Sequence, residues 1–377
     1  MRQSFTPKST LQRHLKTGVF LLLSYAALPI FSQTYGVEGA VTDDLSGLPV
    51  PLASVYINGT SQGTITEENG FFRLRYLTLP CELIFSHVSY EPERMILTDT
   101  AQLRDMHIRL KRRMIPLQEA TIIHQQLRSE YLRKFKRWFL GSDYEALGAE
   151  LLNDSVLIFN IRENEQFSVD AKAPLWVEIS ATGYTIRVDL VLFDLRYQEE
   201  TGGYHCSILG YYFFNPRELR SPHEQRQLAR ARAEAYYNSP AHFCKSLYHN
   251  QLLENGYLFE RSCMPASSRV DDRPAAPDFM GSYVTDAYGN EQLLLTRFIC
   301  RDFQIRYNFN SRNRPVDLTY LQSNPMKVEL SGLLFLSDSI YIYPSGRVPE
   351  NSMLFSGSIG KKGIATMLPE DYIPSMQ

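Results

Sequence analysis

The chain has 377 residues, 44% hydrophobic and 21% charged, with a formal net charge of −2; this balance excludes a disordered polyelectrolyte and allows two or three compact domains. With 41 acidic residues against 39 basic ones, no nucleic-acid partner is expected, since the nucleic-acid backbone demands a basic surface. Tyr and Phe number 23 and 21 against 2 Trp, and rings of the first two kinds suit half-buried pleated surfaces, so a strand-rich fold is expected.

Residues 1–32 read as a secretory signal peptide. Arg2, Lys8, Arg13 and Lys16 form a basic start without acids, Val19–Phe31 is an apolar run broken by Ser24 and Pro29, and Ser32 offers a small residue for cleavage. The run is shorter than the ~20 residues of a membrane-spanning helix, so no transmembrane segment is expected in the mature chain. No cysteine lies near the cut, which argues against a lipid anchor. Cleavage removes four of the 39 basic residues and none of the 41 acidic ones. The expected product is a mildly acidic export of the periplasm, the outer membrane or the cell surface.

Residues 35–112 alternate as short strands. Val37, Gly39 and Val41, then Ala53, Val55 and Ile57, place apolar groups on one face with period two. Asp43–Gly47, Asn58-Gly59-Thr60 and Glu68-Asn69-Gly70 supply turns. Strands follow at Gly63–Thr66, Phe71–Leu74, Leu83–Phe85 and His107–Leu110. About seven strands in so short a span argue for a β-sandwich.

The run Val37–Asp43, Gly47-Leu48-Pro49, Leu52–Ile57, Gly59-Thr60, Gly63-Thr64, Thr66 and Asn69-Gly70-Phe71 resembles the carboxypeptidase-regulatory-like domain family. Phe85–Tyr90 is similar to the family's aromatic-Ser-x-Val-Gly-Tyr strand, with Ser89 in place of the glycine. The resemblance implies a transthyretin-like β-sandwich, a carbohydrate-binding-like fold, in a bacterial cell-envelope protein. It implies no catalytic residue, because in zinc carboxypeptidases this domain only accompanies the catalytic one.

Residues 113–377 read as an α+β domain of unknown function with an antiparallel sheet and several helices. Leu127, Tyr131, Phe135 and Trp138 recur at helical spacing among Arg128, Arg133, Lys134, Lys136 and Arg137, and Gly141 ends that helix. Ser142 or Asp143 is expected to cap a helix over Tyr144–Leu152. Strand patterns cover Val156–Phe159, Phe167–Ala171, Leu175–Ile179, Thr185–Leu195 and Ser207–Phe214. Helices are expected at His223–Tyr237 and from Ser239-Pro240, a capping hydroxyl followed by a first-turn proline, to Asn255-Gly256. Residues 264–278 read as a loop or linker, and strands resume at Gln292–Phe309 and Lys327–Tyr343. Phe139–Gly141, Ala173–Leu175, Gly183–Ile186, Asp189-Leu190, Tyr237, Ser239, His242-Phe243 and Met367–Tyr372 resemble the corresponding parts of exported proteins that carry the same first domain and have no assigned activity.

No histidine has Glu three positions later and no His-Glu-x-x-His occurs, so the zinc-peptidase constellation is missing. The five cysteines (Cys81, Cys206, Cys244, Cys263, Cys300) form no Cys-x-x-Cys pair, and an odd count leaves at least one thiol free. Gly59–Gly63 spells Gly-x-Ser-x-Gly, but that elbow works only where a strand enters a helix, and here strand residues follow Ser61. Asp271-Asp272 falls in the loop. No phosphate-loop or dinucleotide fingerprint appears. No residue is therefore assigned as catalytic, cofactor-binding or metal-binding. The expected function is non-enzymatic binding of a glycan or an envelope protein. The alternative is a hydrolase using His205, Cys206, His242 or Cys244 in the second region.

Overall fold

The computed structural model describes residues 35–113, 125–198, 203–219, 221–262, 280–286, 291–298, 300–319, 327–349 and 352–374. The signal-peptide reading, the whole of the 264–278 loop reading and Asp271-Asp272 lie outside these residues. Thr34–Gln377 forms one compact unit built on three hydrophobic cores.

The first core lies between two sheets. One has the order β4-β1-β7, from β1 (Tyr35–Asp43), β4 (Phe71–Leu77) and β7 (Met106–Leu110); the other has the order β3-β2-β5-β6, from β2 (Ser54–Ile57), β3 (Gly63–Ile65), β5 (Cys81–Ser86) and β6 (Glu93–Leu97). The period-two alternation read from the sequence puts Val37, Val41, Val55 and Phe72 inside. β1 and β7 pair in parallel, from Gly39↔Met106 to Asp43↔Leu110. Gly39 permits this approach, since a Cβ there would lie 2.3 Å from the Met106 carbonyl oxygen. Asp43 ties the end of β1 to the chain leaving β7: its carboxylate accepts from the Ser46 backbone N–H at 2.7 Å, the Arg112 Nε–H at 2.6 Å and the Tyr90 hydroxyl at 3.0 Å. The Arg112 guanidinium, then the Ser46 N–H, hold this carboxyl far below its ordinary range.

The second core packs α1 (Gln125–Leu140) against a six-stranded antiparallel sheet of β8 (Ala149–Leu151), β9 (Leu157–Ile161), β10 (Phe167–Ala171), β11 (Leu175–Ile179), β12 (Tyr184–Gln198) and β13 (Gly203–Pro216). β12 is the spine: β11 and β10 share one edge, and β13 runs along the other with a bulge between Leu190 and Leu192. The inward stripe of α1 is Tyr131–Phe135–Phe139, with the Phe135 ring 4.7 Å from those of Phe139 and Phe193. Leu127 and Trp138, expected on that stripe, lie at its rim, 40% and 39% exposed. The helix expected over Tyr144–Leu152 is absent. Gly148 takes φ +60, which halts a helix, and Ala149–Leu151 pairs with β11 instead.

The third core is enclosed by two antiparallel sheets and two helices. β14 (Tyr257–Arg261), β17 (Asp302–Phe309), β18 (Lys327–Phe335) and β20 (Met353–Phe355) form one sheet; β15 (Met280–Thr285), β16 (Glu291–Thr296) and β19 (Ser339–Ile342) form the other. α2 (Pro222–Tyr236) connects the second core to the third, α3 (Pro240–Tyr248) supplies Phe243 and Leu247, and short α4 (Gly357–Gly360) supplies Ile359. Ser221 and Ser239 cap α2 and α3, accepting from the N–H groups of Glu224 and His242. Beyond α4 the chain returns Ile364 and Ala365 to the second core. The stretch that reads as one α+β region thus holds two cores. Among the described residues no helix is long and apolar enough to cross a membrane.

Candidate binding cleft

The turn after β2 is sewn to β13. The Gly59 N–H donates to the Tyr212 carbonyl at 2.8 Å, the Phe214 N–H to the Thr60 carbonyl at 2.9 Å, and the Tyr212 N–H to Asn58 Oδ1 at 2.8 Å. The Glu370 N–H, from the returning tail, donates to the Gly59 carbonyl at 2.9 Å. Gly59 is at φ +74, and a Cβ would fall 2.8 Å from Glu370 Oε1; only glycine fits between the two chains.

Under this seam lies a buried polar knot. Asp189 on β12 accepts from the Tyr56 hydroxyl at 2.6 Å, from Arg187 Nε at 3.2 Å and from the Ser86 hydroxyl. Arg187 also donates to Ser86 at 2.8 Å and to Ser54. Burial first, then the Asp189 charge, push the Tyr56 phenol well above its ordinary value. The knot joins both central strands of one sandwich sheet to the spine of the second core.

Beside the seam, where the three cores meet, opens a cleft of about 560 Å³, within the usual range of small-ligand sites. Glu82 anchors its polar wall. Its carboxylate accepts from Asn58 Nδ2 at 2.7 Å and Arg94 Nε at 3.0 Å, with Arg347 Nη1 at 3.4 Å. The Arg347 guanidinium lies 5.0 Å above the Tyr343 ring. Glu370 lines the same cleft, and its carboxyl is raised, mainly by burial and despite the nearby Arg347. Ile208, Leu209, Val348 and Met367 supply apolar lining. Two carboxyl groups therefore share one cleft, Glu82 held by an amide and two guanidiniums and Glu370 raised mainly by burial.

The residues weighed from sequence lie elsewhere. His205 and Cys206 are consecutive on β13, so they point to opposite faces of the sheet. Cys206 packs on the second core, and burial pushes its thiol up to about 12. His242 and Cys244 belong to the third core. His242 Nδ1 lies 2.8 Å from the Tyr257 hydroxyl and accepts from the Asn238 N–H at 3.3 Å, and burial pulls its imidazole down to about 3. Cys244 and Cys81 are likewise pushed up to about 12 by burial, while Cys300 is disulfide-bonded. The two His/Cys pairs are not brought together, and none of these thiols is activated as a nucleophile would be. Ser61 is exposed in the bend between β2 and β3, with no helix after it. Among the described residues no group of three or more His, Cys, Asp or Glu is placed to hold a metal.

Native protein at pH 8 is accordingly expected to leave Cys81, Cys206 and Cys244 unmodified by iodoacetamide, and to expose all three in urea. Mass spectrometry of the alkylated chain checks this; rapid native labelling of any one of them would revive a thiol mechanism.

Glu82, Arg94, Arg347 and Glu370 were not legible as a site, coming from three segments far apart in the chain. The one sequence signal near them is Met367–Tyr372, which contains Glu370.

Residues 37–122 match the family model described as CarboxypepD_reg-like domain. No curated protein matches the chain.

Proposed function

We propose that this chain, which carries a CarboxypepD_reg-like domain, is an exported, non-catalytic binding protein of the bacterial envelope, and that the domain forms one fixed wall of a glycan-binding cleft. The observation that carries this reading is the seam between the β2–β3 turn, β13 and the tail at Glu370. A module meant to reach a separate partner through that turn would leave it free, whereas here it is consumed in shaping the cleft. The lining suits a sugar: Tyr343 offers a ring for stacking, and Arg94, Arg347 and Glu370 offer groups for hydroxyls. The disulfide at Cys300 fits an oxidising compartment outside the cytosol.

The test is a glycan array probed with the mature protein, with Tyr343→Ala and Arg347→Gln as comparisons. A defined glycan is expected to bind and to lose about tenfold or more in affinity in each variant, since each removes a contact of about 1.5 kcal/mol or more. Binding that survives both changes would remove the cleft from the account.

Glu370 supports a second reading. A carboxyl raised by burial, sharing a cleft with a second carboxyl, suits the general acid of glycoside hydrolysis. Release of reducing sugar by repurified protein, abolished by Glu370→Gln, would replace the binding reading with this one.

A further inference from the structure

Away from the cleft, a second groove of about 470 Å³ runs between α2 and the turn Ser311–Arg314 that follows β17. On the helix side Arg226 and Arg230, four residues apart, stand on one face, with Ala229 and Ala233 keeping the wall low between them. On the other side Arg312 and Arg314 are presented by a turn built around Asn310. The Asn310 side-chain oxygen accepts the N–H groups of Arg312 at 2.8 Å and Arg314 at 3.2 Å. The Asn310 N–H donates to the Arg314 carbonyl at 2.9 Å, and the Asn313 N–H to the Asn310 carbonyl at 3.0 Å. The turn's backbone is thereby fixed before any ligand arrives.

Charge is the unusual feature. Four guanidiniums line the groove, and among the described residues the one carboxylate lining it is Glu234, which pairs with Arg230 at 2.9 Å. Arg226, Arg312 and Arg314 make no ion pair among the described residues. In a chain whose acids outnumber its bases, an excess of three positive charges in one concavity works against stability unless an anion offsets it.

We propose that this groove binds a phosphate-bearing anion, with a diphosphate as the best match. One carboxylate would satisfy a single guanidinium. Each phosphate brings about −1.5 to −2 charge and three strong acceptor oxygens, which planar guanidinium forks grip two at a time. Helix and turn present their forks from opposite sides, so the two ends of a diphosphate are held by different elements. The same chemistry is carried by a soluble diphosphate and by a phosphorylated lipid headgroup.

The test uses the full mature protein and inorganic pyrophosphate, followed by titration calorimetry at low and raised salt. Wild type is expected to bind, more weakly at raised salt. The double variant Arg226→Gln/Arg314→Gln is expected to lose about tenfold or more in affinity, with unchanged circular dichroism. Arg73→Gln, which removes an exposed arginine of the sandwich, is expected to bind as wild type. Co-sedimentation with phosphatidylcholine vesicles, with and without phosphatidic acid, separates the sources. Pyrophosphate binding alone points to a soluble ligand, and added retention on phosphatidic-acid vesicles, lost in the double variant, points to a headgroup. Absence of binding to both probes, or equal binding by the double variant, overturns the proposal.

Discussion

Replacement of Arg187 by Met is expected to destabilise the protein by about 3–5 kcal/mol, the usual consequence of leaving a buried carboxylate without its cation. Asp189 has no route to water: it is 2% exposed and enclosed by Tyr56, Ser86 and Arg187. Methionine matches much of the arginine volume, so packing is nearly kept and the charge is what is lost. The Ser54 and Ser86 hydroxyls lose a donor at the same time. A second variant separates charge from shape. Arg187→Met combined with Asp189→Leu removes both ions, and it is expected to recover most of the loss, as buried pairs exchanged together for apolar residues often do. Urea unfolding of the three proteins measures this. A single variant within about 1 kcal/mol of wild type, near the worth of an exposed ion pair, would mean the knot is wet and contributes little.

Acid is expected to weaken the fold through His242. Its folded pKa, about 3, lies below the ordinary 6.5 because the ring is buried. The unfolded chain therefore takes up the proton first. Stability from this group is whole above pH 6.5 and is lost as pH falls toward 3, at up to about 1.4 kcal/mol per pH unit. The neutral ring uses Nδ1 to accept from the Asn238 N–H, and protonation would end that role. Lys245 and Lys362 add positive charge that opposes protonation further. Lys362, itself brought down to about 8 by burial, changes the balance only between about pH 8 and its ordinary 10.5, clear of the acid window. His242→Gln keeps an acceptor and cannot titrate, so its stability is expected to fall less steeply than wild type between pH 6.5 and 5, the carboxylates contributing equally to both proteins. Urea midpoints measured across that interval decide it, and parallel curves would refute a neutral buried imidazole.

The legible parts of this fold were those set by local chemistry. Alternation in Val37–Val41 and Ala53–Ile57 and the Asn-Gly turns specify the sandwich without help from the rest of the chain. Ser239-Pro240 marks a helix start because a hydroxyl cap followed by proline has few other uses; Ser221-Pro222, the same signal one helix earlier, is seen only in the structure. β6 carries no period-two signal because, as an edge strand, it buries only Leu97 fully. The segment Tyr144–Leu152 has helical composition, and pairing with β11 overrode it. The split of residues 113–377 into two cores is not written in any window of sequence, because β12 and β13 serve one core while the tail at Ile364 returns to it after a long excursion. The cleft was hidden for the same reason: Glu82, Arg347 and Glu370 meet only because the sandwich, β19's following turn and the tail converge. His242 and Cys244 are close in sequence only, since on a helix residues two apart lie on different faces.

The parallel pairing of β1 with β7 also decides how the sandwich carries tension. A pull applied between the start of β1 and the end of β7 draws these neighbours past each other along their length. The register pairs from Gly39↔Met106 to Asp43↔Leu110 then bear the load side by side, in shear, rather than parting one at a time as the rungs of a peeled hairpin do. The Arg112–Asp43 bond closes the far end of that ladder, so the last rung is braced by an ion pair where sliding would begin.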